Sequence, residues 1–185
     1  MYHIKNDKRA RASTELICAG LLACMKEKPF ARITITDVQR ASTVSRSTFY
    51  RNFDCLEDAL ALLCDRGFQA VFSEYNALPP EQRGSLAKAV FQYWFRSSAV
   101  LEALVQIHRT DILFDSLRRS SGLIQALQPM ADDPARFDYF VAIITSSMIG
   151  VLTVWVEHGK TETEDQMVQK LTSAFIEMAI LELPG

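Results

Sequence analysis

Apolar residues recur every three or four positions along almost the whole chain; no stretch shows sustained alternation of apolar and polar residues, and ARITITD, the one β-like fragment, is too short and isolated to pair. A helix gathers positions i, i+3, i+4 and i+7 on one face, whereas a half-buried strand needs a period of two, so the pattern predicts an all-α protein. The most regular stripes lie near the C-terminus, on helices expected over 134–158 and 163–183, on either side of Gly159. Phe137, Val141, Ile144, Met148, Val151 and Trp155 fall at 4-3-4-3-4 spacing, and Met167, Leu171, Ala174, Met178 and Leu181 at 4-3-4-3. That is heptad spacing on two successive antiparallel helices. Phe140, Ile143, Ser147, Gly150 and Val154 form a second contacting side whose small residues allow close helix approach. One side can face the chain's own core and the other a second copy, giving a four-helix bundle across a two-fold axis. The expected dimer interface is therefore Phe140, Ile143, Ser147, Gly150 and Val154, with Leu171, Ala174 and Met178 from the last helix.

Proline punctuates the rest. Pro29 ends a first helix over 8–28, with Leu16, Ile17, Leu21, Leu22 and Met25 as its buried stripe, and Pro79-Pro80 stops a long helix over 55–77. Between these, short helices are expected over 35–42, with Thr34 or Thr36 as N-cap, and over 46–52. Further helices are expected over 81–96, 99–108, 111–120 and 121–128, so the chain should hold about nine. Thr163 and Gln166 have the spacing of a capping box for the last one.

With 185 residues, 49% hydrophobic and 23% charged, the chain can bury a sizeable core and has the composition of a soluble globular protein. The apolar run Phe137–Val156 is interrupted by Thr145, Ser146, Ser147 and Thr153 and lacks the flanks of a membrane anchor, so no membrane association is expected. The opening MYHIKNDKRARAS is basic without the apolar segment of a secretory signal, which predicts a cytoplasmic protein. Cys18, Cys24, Cys55 and Cys64 form no C-x-x-C pair and have no histidine at ligand spacing, so reduced thiols and no metal site are expected. Cys55, after Asp54 at a helix start, is the candidate for reactivity. His3, His108 and His158 lie apart, with no recognisable nucleophile, acid pair or phosphate loop nearby, so neither catalysis nor a cofactor is expected.

Charge is distributed unevenly. Residues 1–53 carry ten Lys/Arg against four Asp/Glu, a balance of +6, and the remainder ten against eighteen, a balance of −8. A basic segment on an acidic body points to a polyanion partner for that segment alone. Within it, Ile33 to Phe53, ITITDVQRASTVSRSTFYRNF, has the layout of a helix-turn-helix. Val38, Val44, Phe49 and Phe53 face inward, leaving Ser45, Arg46, Ser47, Thr48, Tyr50, Arg51 and Asn52 for the DNA groove. Short hydroxyls at a helix start can meet phosphate or base edges, and arginine can take two acceptors on guanine. Lys5, Lys8, Arg9 and Arg11 add charge for backbone contacts.

The threonine and isoleucine run, then V-S-R-S-T-F-Y-R-N-F, then an acidic helix start with E-D, resembles the TetR family of regulators over about Thr14 to Leu60. The resemblance implies an N-terminal three-helix DNA-binding domain, residues 1–54, and a C-terminal helical effector-binding and dimerisation domain, residues 55–185. It implies a homodimer with recognition helices in successive major grooves of a near-palindromic operator, about 34–36 Å or more apart. It also implies ligand-controlled release, repression being the commoner mode, with 68–77 on the joining helix carrying the coupling. It places Thr34 and Thr36 at phosphate and Ser45 to Thr48 and Tyr50 at DNA-reading or phosphate positions. Two departures stand out: Ser42-Thr43 replaces the usual Ala-Gly of the turn, and Leu56 replaces a phosphate-holding lysine. They leave open an alternative, a TetR-like adaptor or co-activator that has lost DNA binding and works through protein contacts. For the effector, Phe91, Tyr93, Trp94, Phe95, His108, Phe114, Met130 and Phe140 form an aromatic-rich set with few charges, which suggests an apolar or aromatic small molecule.

Overall fold

The computed structural model describes residues 2–4, 7–124 and 133–181, without the side chain of Leu181. Among them there are nine α-helices and no strand: α1 (Lys8–Glu27), α2 (Ile35–Ser42), α3 (Arg46–Asn52), α4 (Leu56–Ala77), α5 (Leu86–Arg96), α6 (Ser98–Gln106), α7 (Asp111–Ser120), α8 (Pro134–Glu157) and α9 (Glu164–Leu181). The all-α expectation holds, with two adjustments. The segment expected as helix over 81–96 begins as a single 3-10 turn, Pro80–Gln82, and α5 starts only where the Ser85 hydroxyl can accept from the Lys88 amide (3.3 Å). The helix expected over 121–128 is a 3-10 turn at Ser121–Leu123 followed by extended Ile124, and 125–128 lie outside the described residues.

A head of α1 to α3 packs on a body of α5 to α9, with α4 running through both. Ile17, Val38, Phe49 and Phe53 fill the head, and Leu60, Phe68, Trp94, Leu104 and Trp155 continue the same apolar core into the body. Leu16, expected in the stripe of α1, is 50% exposed because the inward face is taken by Thr14, Ile17, Cys18, Leu21 and Cys24. Two crossings depend on glycine. A Cβ at Gly20 would come within 2.8 Å of Ser42 Cβ, where α1 meets α2, and one at Gly67 within 2.6 Å of the Tyr93 ring, where α4 meets α5. Trp94 then stacks edge-on to Phe68, with ring centroids 5.3 Å apart.

The expected core stripe of α8 faces inward, with Val141, Met148 and Trp155 buried and Phe137, Ile144 and Val151 half-buried. Gly159, at a φ of 76°, starts the turn to α9; Trp155 Nε1 donates across it to the Glu162 carbonyl (3.2 Å). The capping box is present: Thr163 N donates to Gln166 Oε1 (2.8 Å) and Gln166 N to Thr163 Oγ1 (3.4 Å). Lys160 ties this turn to α6 through Glu102 (2.5 Å). By length and composition α8 could cross a membrane, but it lies against α6, α7 and α9, with a third of its most apolar window buried.

Candidate functional site

The α2–turn–α3 unit is held by local hydrogen bonds. Thr34 caps α2: its Oγ1 accepts from Asp37 N (3.2 Å) while Thr34 N donates to Asp37 Oδ2 (2.8 Å). Lys28 reaches the same carboxylate at 2.7 Å, and that bond, followed by those from Thr34, holds the Asp37 carboxyl well below the usual carboxylate range. Thr36 stands exposed beside it. In the turn, Thr43 occupies the left-handed region at φ 57°, ψ 17°, where glycine would be unstrained and a β-branched residue costs on the order of 1–2 kcal/mol. Partial compensation comes from Thr43 Oγ1 donating to the Ser42 carbonyl (2.7 Å) and Val44 N to Ser42 Oγ (3.3 Å).

Ser45 caps α3, its hydroxyl accepting from Thr48 N (3.3 Å) and lying 2.9 Å from Thr48 Oγ1 and 3.1 Å from Ser47 Oγ. Phe49 and Phe53 are buried and in ring contact at 5.6 Å, which fixes the inner face of the helix. Arg46, Ser47, Tyr50 and Arg51 are exposed on the outer face, with Thr48 half-buried. The Arg46 guanidinium lies over the Tyr50 ring, 5.5 Å from its centroid, and Nη2 donates to the tyrosine hydroxyl (3.3 Å). These contacts orient both side chains outward before any ligand arrives. Asn52 departs from expectation. It is 2% exposed, and its Nδ2 donates back to the Thr48 carbonyl (2.8 Å), so it supports the helix instead of reaching the groove. Lys8, Arg9 and Arg11 are exposed in the first turns of α1, whose N-cap is Asp7; Lys5 lies outside the described residues.

Asn52 is covered by residues not anticipated from the sequence. His3 N donates to the Asn52 carbonyl (3.0 Å), His3 Nε2 lies 3.4 Å from the Tyr50 carbonyl, and Ile4 packs on the core. The Tyr2 hydroxyl donates to Asp65 of α4; burial, and then this bond, push the phenol up to about 12. Asp65, 5% exposed, also accepts from Ser116 Oγ and from Arg119 Nη2 (2.8 Å), both on α7. The signal was a carboxylate between Cys64 and Phe68 on the buried face of α4, which needs partners.

The body holds a cavity of about 210 Å³ between α4, α5, α7, α8 and α9, walled by Phe72, Val90, Leu117, Ile144, Met148 and Leu171. Ser121 and Thr145 supply its hydroxyls, and among the described residues no charged side chain lines it. Of the expected pocket residues only Phe140 borders it. Phe91 and Trp94 are buried in the core, Phe95 packs on Trp155 (4.0 Å between centroids), Phe114 is half-buried on α7 away from the cavity, and His108 is exposed at a φ of 56° after α6. Large rings fill volume, and the space left over lies where smaller aliphatic side chains meet. Leu171, expected at a subunit interface, is 8% exposed and borders both this cavity and the groove between α8 and α9. Met130 lies outside the described residues. Asp111 pairs with Arg109 (2.8 Å). Burial pushes the Cys55 thiol up, the opposite direction from an activated thiolate.

Ile143, Gly150, Val154, Ala174 and Met178 are exposed, and Ser147 is half-buried with its hydroxyl turned back to the Ile143 carbonyl (2.8 Å). Ser147, Gly150, Val154, Ala174 and Met178 border one groove of about 360 Å³ between α8 and α9. Tyr139, 74% exposed, and Ile176 and Ile180 add apolar surface not counted from the sequence.

No family model matches the chain, and no curated protein matches it significantly. Solved structures do. Lin0861 from Listeria innocua superposes with a TM-score of 0.72 at 16% identity over 95% of this chain and 96% of that one. A protein from Syntrophomonas wolfei assigned to the TetR family of transcriptional regulators gives a TM-score of 0.64 at 18% identity over 94% and 97%. A TetR transcriptional regulator from Streptococcus agalactiae gives 0.59 at 18% identity over 91% and 96%. Near-complete coverage in both directions, head and body together, establishes that this chain has the TetR-like fold.

Proposed function

We propose that the chain is a cytoplasmic, homodimeric, DNA-binding transcriptional regulator, a repressor that leaves a near-palindromic operator when a small molecule occupies the body. The observation that carries this reading is the outer face of α3: Arg46, Ser47, Tyr50 and Arg51 exposed together on a helix whose opposite face is locked by Phe49 and Phe53. Arg46 and Tyr50 are pre-oriented, Ser45 and Thr36 present hydroxyls at helix starts, and Lys8 and Arg9 add charge for phosphate. The basic balance of residues 1–53 supplies the salt-sensitive part of the affinity.

Dimerisation is supported by the α8–α9 face. Ile143, Val154, Ile176, Met178 and Ile180 leave large apolar groups in water, and burying each would contribute on the order of 1 kcal/mol or more. A Cβ at Gly150 would meet nothing of its own chain within 4 Å, so the small residue leaves room for a second copy. The apolar side chains and the Thr145 hydroxyl that the described residues contribute to the cavity favour a largely apolar effector.

The test is fluorescence anisotropy on short duplexes from the DNA flanking the coding region, at two salt concentrations, for wild type and for Arg46→Ala with Tyr50→Ala. Sequence-dependent, salt-sensitive binding lost in the double variant is expected. Equal and weak binding of both proteins to every duplex would instead favour an adaptor that acts through protein contacts.

A further inference from the structure

Tyr2, His3 and Ile4 add a second link between two places that the chain already joins through α4. At one end, His3 N holds the carbonyl of Asn52, the last residue of the recognition helix, and its ring lies beside the Tyr50 carbonyl. At the other, the Tyr2 hydroxyl reaches Asp65, a buried carboxylate shared with Ser116 and Arg119 of α7. Leu117, between those two α7 residues, forms part of the cavity wall, as does Ser121 one turn further on. A bound molecule that displaces α7 therefore acts on the helix that holds Asp65.

We infer that residues 2–4 are a strap that positions the recognition helix by tying its C-terminal end, through Tyr2 and Asp65, to α7 at the cavity wall. Tyr2, Asp65 and Arg119 are then positioning residues for DNA recognition without touching DNA. The physical basis is geometric. Asp65 accepts from Tyr2 on one oxygen and from Ser116 and Arg119 on the other, so moving α7 turns the carboxylate that Tyr2 holds, and the strap residue next to Tyr2 holds the α3 carbonyls. Contiguous hydrogen bonds of this kind carry coupling only if their arrangement changes as a unit, which a double-variant cycle can measure. The biological consequence rests on the regulator reading above, but the strap itself is tested without DNA or effector.

The experiment is amide hydrogen exchange, by mass spectrometry, on the full chain as wild type, Tyr2→Phe, Arg119→Met and the double variant. Tyr2→Phe removes one hydroxyl and keeps the ring. Arg119→Met alters only the half-exposed α7 end of the network and keeps the aliphatic stem. Each single variant is expected to speed exchange of the amides of 49–53 roughly three- to tenfold, the loss of about one hydrogen bond's worth of protection from local opening. The double variant should show little further increase. Unchanged exchange at 49–53 in either single variant, with α1 equally protected in all four proteins, would overturn the strap. So would an Arg119→Met effect that persists undiminished when Tyr2 is already Phe. A strap that passes while no duplex binds would leave the regulator reading to fail alone, and operator binding without the exchange effect would do the reverse.

Discussion

The helix-turn-helix head and the α8–α9 pair are both made of amphipathic helices, yet they present opposite faces to water. In the head, Phe49, Phe53 and Val38 are enclosed and the outer surface carries Arg46, Ser47, Tyr50 and Arg51. In α8 and α9 the stripes are enclosed only in part, at Val141, Met148, Trp155, Met167 and Leu171, while Tyr139, Ile143, Val154, Ile176, Met178 and Ile180 remain outside. A polar outer face is complete in water and awaits only a partner that it can recognise by charge and hydrogen bonds. An apolar outer face of that size is incomplete until something covers it.

The sharpest way to separate the two regions is to damage each from within. Phe49→Ala should cost about 3–5 kcal/mol, because it removes a fully packed ring from the head, while sedimentation continues to report the same oligomer as the wild type. A change of oligomer with that variant would mean that the faces are not independent. Ile143→Glu should do the converse, weakening self-association by roughly 2–4 kcal/mol through a buried charge while circular dichroism stays that of a folded helical protein. An unaltered sedimentation profile would remove the second copy as occupant of that face. The smallest effect is expected at the turn. Thr43→Gly should raise the urea midpoint by roughly 0.5–1 kcal/mol equivalent, since relief of the left-handed strain exceeds the added freedom of the unfolded chain. A lower midpoint would show that the Thr43–Ser42 hydrogen bond outweighs the strain.

Much of the head was legible because its determinants are local. The threonine and aspartate of one capping box, the serine at the start of α3 and the phenylalanines one turn apart all act within four residues of one another. Asn52 departs from expectation because its side chain turns back to the Thr48 carbonyl, and its own carbonyl is met by His3, a residue distant in sequence with no periodic signal. Among the described residues the expected aromatic set meets this cavity only at Phe140, for a related reason. An aromatic stripe reports bulk, and where space remains depends on how α5, α7 and α8 pack together, so Phe91 and Trp94 became core while Leu117, Ile144 and Met148 became wall. Leu171 shows a related limit within a heptad: it borders both the cavity and the α8–α9 groove, and spacing alone does not divide a residue between two faces.

The bond between Tyr2 and Asp65 spans 63 residues, and that between Ser116 and Asp65 another 51. A chain emerging from the ribosome with its first helices available completes the contacts among α1, α2 and α3 early, since they join near neighbours. Its arm must wait for α4, and the carboxylate it meets acquires the α7 donors only when two-thirds of the protein has been made. During that interval the head lacks the donors that α7 brings to Asp65. Final seating of the recognition helix is thus a late event in biogenesis, and slowed synthesis or truncation before α7 would leave a compact head with its last adjustment unmade.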